Sequence, residues 1–252
     1  MIEPVVITPD WPAPECVGSA ITTRMGGQST GAYQALNLAL HVGDDASRVT
    51  NNRQALRQAL QLPQEPQWLE QIHGVKVVAA QEDNRVRTAD AAVTDKIGLA
   101  CAVLTADCLP ILLCDQQGLQ VGAVHAGWRG LAKGIVRRAI ARFSLPPTEL
   151  MAYLGPAISL QHFEVGIDVP QMFFRYADSA DQADAIAAAI RPGARPMHFY
   201  ADIYALARAA LVTAGVRDIY GGDYCTYADE QRFYSYRRDG VTGRVASLIW
   251  RK

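Results

Sequence analysis

Apolar residues recur along this chain with two periods, one near two and one near 3.6, and the segments that carry them interleave. Residues 17–24, VGSAITTR, read as a strand, and the glycine-rich turn MGGQSTGAY follows it. DASRVTNNRQALRQALQL reads as a helix with Asp45 or Ser47 near its cap and Leu56, Leu60 and Leu62 turned inward. Strands fit residues 74–80 and 98–104. GWRGLAKGIVRRAIARF then predicts one helix, with Leu131, Ile135, Ala139, Ile140 and Phe143 on a single stripe. Asp168 followed by Pro170 predicts the cap and first turn of a helix over VPQMFFRYADS. ADIYALARAALVTAG predicts a further amphipathic helix, closed by Gly215. The C-terminal RFYSYRRDGVTGRVASLIW predicts a hairpin around DGVTG. Strands joined by tight turns among the helices favour an α/β fold with a mixed sheet, or two packed sheets with helices outside.

The most informative stretch is residues 105–130, TADCLPILLCDQQGLQVGAVHAGWRG. LPILLC and LQVGAVH flank the polar turn DQQG, so they predict a hairpin centred between Gln116 and Gln117. In that register Cys114 faces Leu119, Leu112 faces Val121, and Cys108 lies directly across from His125. Opposed Cβ atoms stand about 4.5–5.5 Å apart, close enough for thiolate and imidazole to share one metal ion or one proton. A slip of one residue would send the two side chains to opposite faces. Pro110 cannot donate to a ladder, so its strand is expected to be an edge or to begin late. A third donor, from His73 in EQIHGVKVV, His41, His162 or His198, would complete a set that leaves zinc an open position. An open position makes zinc a Lewis acid or an activator of water, whereas a structural zinc needs a fourth ligand. The nearest spare thiols are Cys101 and Cys114, and Cys114 falls about 20 Å along the strand from Cys108.

Composition narrows the classes. The chain has 252 residues, is 50% apolar and 19% charged, and has a formal net charge of −1, as for an ordinary globular protein. No basic surface excess points to nucleic acid or anionic lipid, and no apolar run approaches the length of a membrane span. The opening MIEPVVITPDWPAPE lacks the basic start and apolar core of a secretory signal. Five cysteines (Cys16, Cys101, Cys108, Cys114 and Cys225) form no C-x-x-C pair, which argues for reduced thiols and a cytoplasmic protein.

TTRMGG, LNLALHVGDD, QIHG, TADCLPILL, VGAVHAGWRG, ADIYALARAAL and FYSYRRDGVTGRVASLIW together resemble the YfiH-like family, from about residue 20 to Trp250. That family is described both as multicopper polyphenol oxidase or laccase-like and as purine nucleoside phosphorylase. The resemblance implies one α/β domain over residues 1–252, layered α-β-β-α, with a pocket zinc held by His73, Cys108 and His125. It also points to Asn37 and Arg53 as phosphate contacts. Family members often carry a serine before Leu-Asn-Leu, and Ala35 here removes that hydroxyl donor. Arg129, between a strand end and a helix start, is a further anion candidate.

The resemblance implies a small-molecule enzyme: phosphorolysis of adenosine, inosine and methylthioadenosine, with secondary deamination of adenosine. The H-x-E and P-C-x-x-C signature of zinc deaminases is absent, so deamination would use other proton carriers. A different class of reading makes Cys108 a nucleophile and His125 its base, or uses the zinc, in an amide hydrolase that edits peptidoglycan precursors. A multicopper oxidase needs more histidines than the five present, although one copper would suit the same three ligands. A non-catalytic binding module with a structural zinc is the remaining alternative.

Overall fold

In a computed structural model, which describes residues 3–252, two sheets pack face to face with helices on both outer surfaces. One sheet has four strands in the order Val6–Ile7, Val17–Thr22, Val245–Arg251 and Cys101–Thr105. The other has six, in the order Asp218–Gly221, Leu150–Leu154, Leu109–Asp115, Val121–Ala126, Ala91–Thr94 and Val77–Ala79. Its outermost pairs are parallel and its central pairs antiparallel, so the sheet is mixed.

Strand alternation builds the layers. Leu112, Cys114, Val121 and Ala123 face Val17, Ile21, Cys101 and Val103 of the smaller sheet. Their neighbours Ile111, Leu113 and Val124 face the helices Ile135–Ile140 and Ile203–Thr213. On the far side, Ala102, Leu104, Ala246 and Leu248 pack against Leu56 of the helix Ala46–Ala59. This is the expected α-β-β-α order. The central strands are buried on both faces, which is why they read as unbroken apolar runs.

Several local expectations are corrected. The strands expected over 74–80 and 98–104 are Val77–Ala79 and Cys101–Thr105. Asp45 caps the first long helix by accepting from the Ser47 and Arg48 amides; Leu56 and Leu62 are buried, and Leu60 only half-buried. The helix expected after His125 is two helices, Trp128–Ala132 and Ile135–Ile140, because Gly134 turns left-handed at φ +86°. Asp168 is the first helical residue of Asp168–Arg175 rather than its cap, which places Pro170 inside the first turn. The C-terminal hairpin does not form. Ser235 caps a short helix, Tyr236–Asp239, and Val245–Arg251 pairs instead with Val17–Thr22 and Cys101–Thr105, strands far away in sequence.

Pro110 lies inside the six-stranded sheet rather than at an edge, although its strand does begin only one residue earlier. The Gly155 amide donates to the Pro110 carbonyl at 2.9 Å, and proline has no N–H to return the bond. Tyr204 fills the gap. Its hydroxyl accepts from the Ala157 amide at 2.8 Å and shares its own proton between the carbonyls of Gly155 (3.1 Å) and Tyr224 (2.8 Å).

Candidate metal centre and cavity

The strand pair around DQQG forms, in a register two residues away from the expected one: Cys114 pairs with Val121, and Pro110 with His125. The connecting loop is longer than a two-residue turn because the Asp115 carboxylate collects the amides of Gln117, Leu119 and Gln120. Cys108 therefore lies just before its strand, diagonal to His125 instead of opposite it. A shift of two keeps the face. His125, 3% exposed, emerges at the same end of the sheet as Cys108.

His73 arrives from the loop between strands Leu69–Glu70 and Val77–Ala79, at φ +56°. One buried carboxylate fixes that loop. Asp90 Oδ1 accepts from the His73 amide at 2.9 Å, and Oδ2 from the Gly74 amide at 2.7 Å and the Ile72 amide at 3.4 Å. The same Oδ1 accepts from His125 Nδ1 at 2.9 Å, which leaves His125 Nε2 facing the cluster. His73 Nε2 lies 3.6 Å from Cys108 Sγ, and the donor atoms of His73, Cys108 and His125 all fall within 4.8 Å of one another. Among the described residues no fourth ligand joins them. Two imidazoles and a thiolate fit zinc, or a single copper.

The charges in this cluster are strongly coupled. Burial alone would push the Cys108 thiol up, but His125 and then His73 outweigh it and draw the thiol down. Burial would lower His125, yet Cys108 and Asp90 raise it. The thiolate–imidazolium pair is therefore the favoured state of the metal-free site. Cys101 and Cys114 are the opposite case, with burial pushing both thiols up to about 12. All five cysteines are unpaired, as expected.

The cluster forms one wall of a cavity of about 440 Å³, within the range of small-molecule sites. Trp128 and Tyr236 supply aromatic surface, and Arg129, Arg237, Arg244 and His41 supply nitrogen. Arg244 is half-buried and Arg129 and Arg237 are exposed. Among the described residues none of the three arginines has a carboxylate ion-pair partner. Arg129 stacks on Trp128 at 4.3 Å, and Arg237 donates to the Glu164 carbonyl at 2.8 Å. His41 hydrogen-bonds to nothing among the described residues, and burial, then Arg244 and Arg53, hold its imidazole below its ordinary value despite Glu70.

Of the sequence candidates, His41, His73, Cys108, His125 and Arg129 line this cavity, with His73 alone of the four histidine alternatives joining Cys108 and His125, whereas Asn37, Arg53, His162 and His198 do not line it. Asn37 is buried, its Oδ1 accepting from the amides of Ala39 and Arg244 and its Nδ2 donating to Asp44. Arg53 stacks on Trp68 at 4.1 Å and donates to the Leu38 carbonyl. Both brace the backbone that presents His41 and Arg244. Sequence reasoning missed Asp90, Asp107, Arg237 and Arg244. An acidic residue inside the apolar run ADAAVT was the one local sign of Asp90.

A sequence-family profile described as multi-copper polyphenol oxidoreductase laccase matches residues 18–252. Among curated relatives, a purine nucleoside phosphorylase of Pseudomonas aeruginosa is 48% identical over 244 residues, covering 97% of each chain. The Escherichia coli purine nucleoside phosphorylase YfiH is 45% identical over 246 residues, covering 97% of this chain and 98% of its own. The crystal structure of a Neisseria meningitidis protein matches with TM-score 0.92 at 50% identity, over 98% of this chain and 99% of that one. YlmD from Geobacillus stearothermophilus matches with TM-score 0.86 at 31% identity, over 96% and 94%.

Proposed function

Because this chain belongs to the YfiH-like family of multi-copper polyphenol oxidoreductase laccases, we propose that its cavity is the active site of a metal-dependent purine nucleoside phosphorylase. The observation that carries this reading is one cavity holding both a three-ligand metal cluster and three arginines without carboxylate partners. Relatives named purine nucleoside phosphorylase at 45–48% identity support it.

His73, Cys108 and His125 would hold zinc, or one copper, and the ion would supply Lewis acidity at the open end of the cluster. Guanidinium pairs with phosphate bidentately, so Arg244 inside the cavity and Arg129 and Arg237 at its mouth receive phosphate. Asn37 and Arg53 contribute from behind, as braces of His41 and Arg244. Trp128 and Tyr236 offer stacking surface to a purine. In phosphorolysis the C1′–N9 bond breaks with its electron pair going to the base, and a phosphate oxygen bonds to C1′. The proton that monohydrogen phosphate loses on becoming the monoester dianion must reach the purine. His41 lines the cavity, ligates no metal and is free to carry that proton.

Adenosine, inosine and methylthioadenosine are the proposed substrates, with adenosine deamination secondary and the cytoplasm as the compartment. The five unpaired thiols support that compartment, and no helix among the described residues is long and apolar enough to cross a membrane. The experiment is chromatography of adenosine and of inosine incubated with metal-replete protein, with and without phosphate, beside Cys108→Ala. Free base formed only with phosphate, and lost in the variant, is the expected result. No turnover of either nucleoside would overturn the proposal.

The thiolate–imidazolium pair favours one second reading, the amide hydrolase. There the Cys108 thiolate attacks an amide carbonyl, His125 gives its proton to the departing amine, and water hydrolyses the thioester. Peptidoglycan precursors are its test substrates. Trapping of a thioester that Cys108→Ser abolishes would select it over phosphorolysis.

A further inference from the structure

Asp107 stands where the metal cluster and the cavity's cationic wall meet, immediately before Cys108 in the chain. Its backbone is left-handed at φ +87°, a region that a residue with a side chain rarely keeps unless its surroundings hold it there. Those surroundings are specific. Asp107 Oδ1 accepts from Thr226 Oγ1 at 2.6 Å, and Oδ2 accepts from Ser235 Oγ at 3.0 Å and from the Arg237 amide at 2.7 Å. Its carbonyl accepts from the Ile158 amide at 3.0 Å. Thr226 and Ser235 are fully buried, so the two hydroxyl bonds are the ones shielded from competing water. Three segments remote in sequence thus converge on the residue bonded to Cys108. One of them is the capped turn Tyr236–Asp239, which carries two cavity-lining residues, Tyr236 and Arg237.

We infer that Asp107 is a positioning residue that sets the distance between the metal ligand Cys108 and the anion-binding wall at Tyr236–Arg237. Its carboxylate holds the Arg237 backbone in register with the cluster, and the Arg237 side chain then reaches across to the Glu164 carbonyl beside Phe163. The clamp itself stands on the hydrogen bonds above, and only the choice of inorganic phosphate as probe rests on the proposed phosphorylase.

Asp107→Gly is the informative variant. Glycine accepts φ +87° freely, so the backbone keeps its course while the carboxylate is lost. Asp107→Asn keeps one acceptor oxygen, enough for Ser235 Oγ and the Arg237 amide, and turns the other into a donor facing Thr226 Oγ1, so it serves as the conservative, partial rescue. Ser235→Ala removes one donor without altering the chain next to Cys108. Three readouts apply to the full-length protein: bound metal per chain, the Kd for inorganic phosphate by calorimetry, and amide hydrogen exchange over residues 235–240. In Asp107→Gly we expect the metal to be retained, phosphate binding to weaken at least tenfold, and the Arg237 amide to lose its protection. Asp107→Asn should recover part of the affinity, and Ser235→Ala should weaken phosphate with metal unchanged.

An unchanged phosphate Kd in Asp107→Gly, with the parent binding phosphate, would overturn the inference. So would parallel loss of metal and phosphate in Asp107→Gly with no effect of Ser235→Ala, since Asp107 would then act through Cys108 alone. A parent that binds no phosphate would instead overturn the phosphorylase reading. Exchange at Arg237 would still decide the clamp in that case.

Discussion

Gly127 shows how closely His73, Cys108 and His125 are packed. A Cβ there would stand 2.8 Å from His73 Cδ2, 3.2 Å from Cys108 Sγ and 3.4 Å from His125 Cε1. The first distance is below any normal carbon contact, so the His73 ring would have to shift, and Cys108 Sγ would have to give by a few tenths of an ångström. Gly127→Ala should therefore lower zinc affinity at least tenfold while the protein still unfolds cooperatively, which a competitive chelator titration and a denaturant melt would measure together. His41 calls for a different measurement. Arg244 and Arg53 help to keep its imidazole neutral, and a phosphate seated on Arg244 would offset their charge. The His41 pKa, followed by NMR, should rise when phosphate is added, and an unmoved value would place phosphate elsewhere. His41→Asn should lower kcat for phosphorolysis by about 10²–10⁴-fold, the usual size of a general acid–base contribution, with phosphate still bound. His73, Cys108 and His125 carry recognisable chemistry in their side chains and so were visible as candidates. Asp90 and Asp107 were not, because each acts through bonds to residues far away in sequence, as with His125 and Asp90, 35 positions apart.

Elements were legible where their cause is local. The strand Val17–Thr22, the helix Ala46–Ala59 with its Asp45 cap and the helix Ile203–Thr213 follow from contacts within one turn or one pleat. The break at Gly134 and the two-residue register error were harder, since both depend on which of several compatible turns the neighbours stabilise. Asp115 decided the second by gathering three amides into the loop over residues 116–120. Pro110 offers a test of such compensation. Tyr204→Phe would strip the hydroxyl from the Ala157 amide and from the carbonyls of Gly155 and Tyr224. Leaving buried backbone groups unpaired costs about 1–3 kcal/mol. A urea titration should show that loss as a lower midpoint with unchanged slope, and an unchanged midpoint would mean that the proline site needs no substitute donor.

Across the whole molecule, the site lies at one end of the facing sheets, and its chemistry depends on charges that the folded chain brings together. Metal binding needs Cys108 as thiolate and His125 neutral. In the metal-free state His125 and His73 draw the Cys108 thiol down and Cys108 and Asp90 draw His125 up, so near neutral pH the pair keeps one proton. That proton must leave as the ion enters. Zinc affinity should consequently climb about tenfold per pH unit through the neutral range, levelling only above the ordinary imidazole value, and fall on acidification. Competition titrations from pH 6 to 9 would check the slope, and a flat profile would show that the pair carries no proton to displace. Periodicity, capping residues and the candidacy of Cys108 and His125 were written in the chain because each depends on side-chain type and on neighbours a few positions away, whereas the choice of His73 over His41, His162 and His198 came from the family resemblance alone. The Cys108–His125 face was legible for the same reason: strand alternation has period two, and a slip of two residues preserves it. The register itself, the central place of Val245–Arg251, the bracing by Asp90 and the convergence on Asp107 arose only when remote segments met. Such contacts form between groups whose sequence separation carries no periodic signal, and burial between the packed layers is what makes them strong enough to persist.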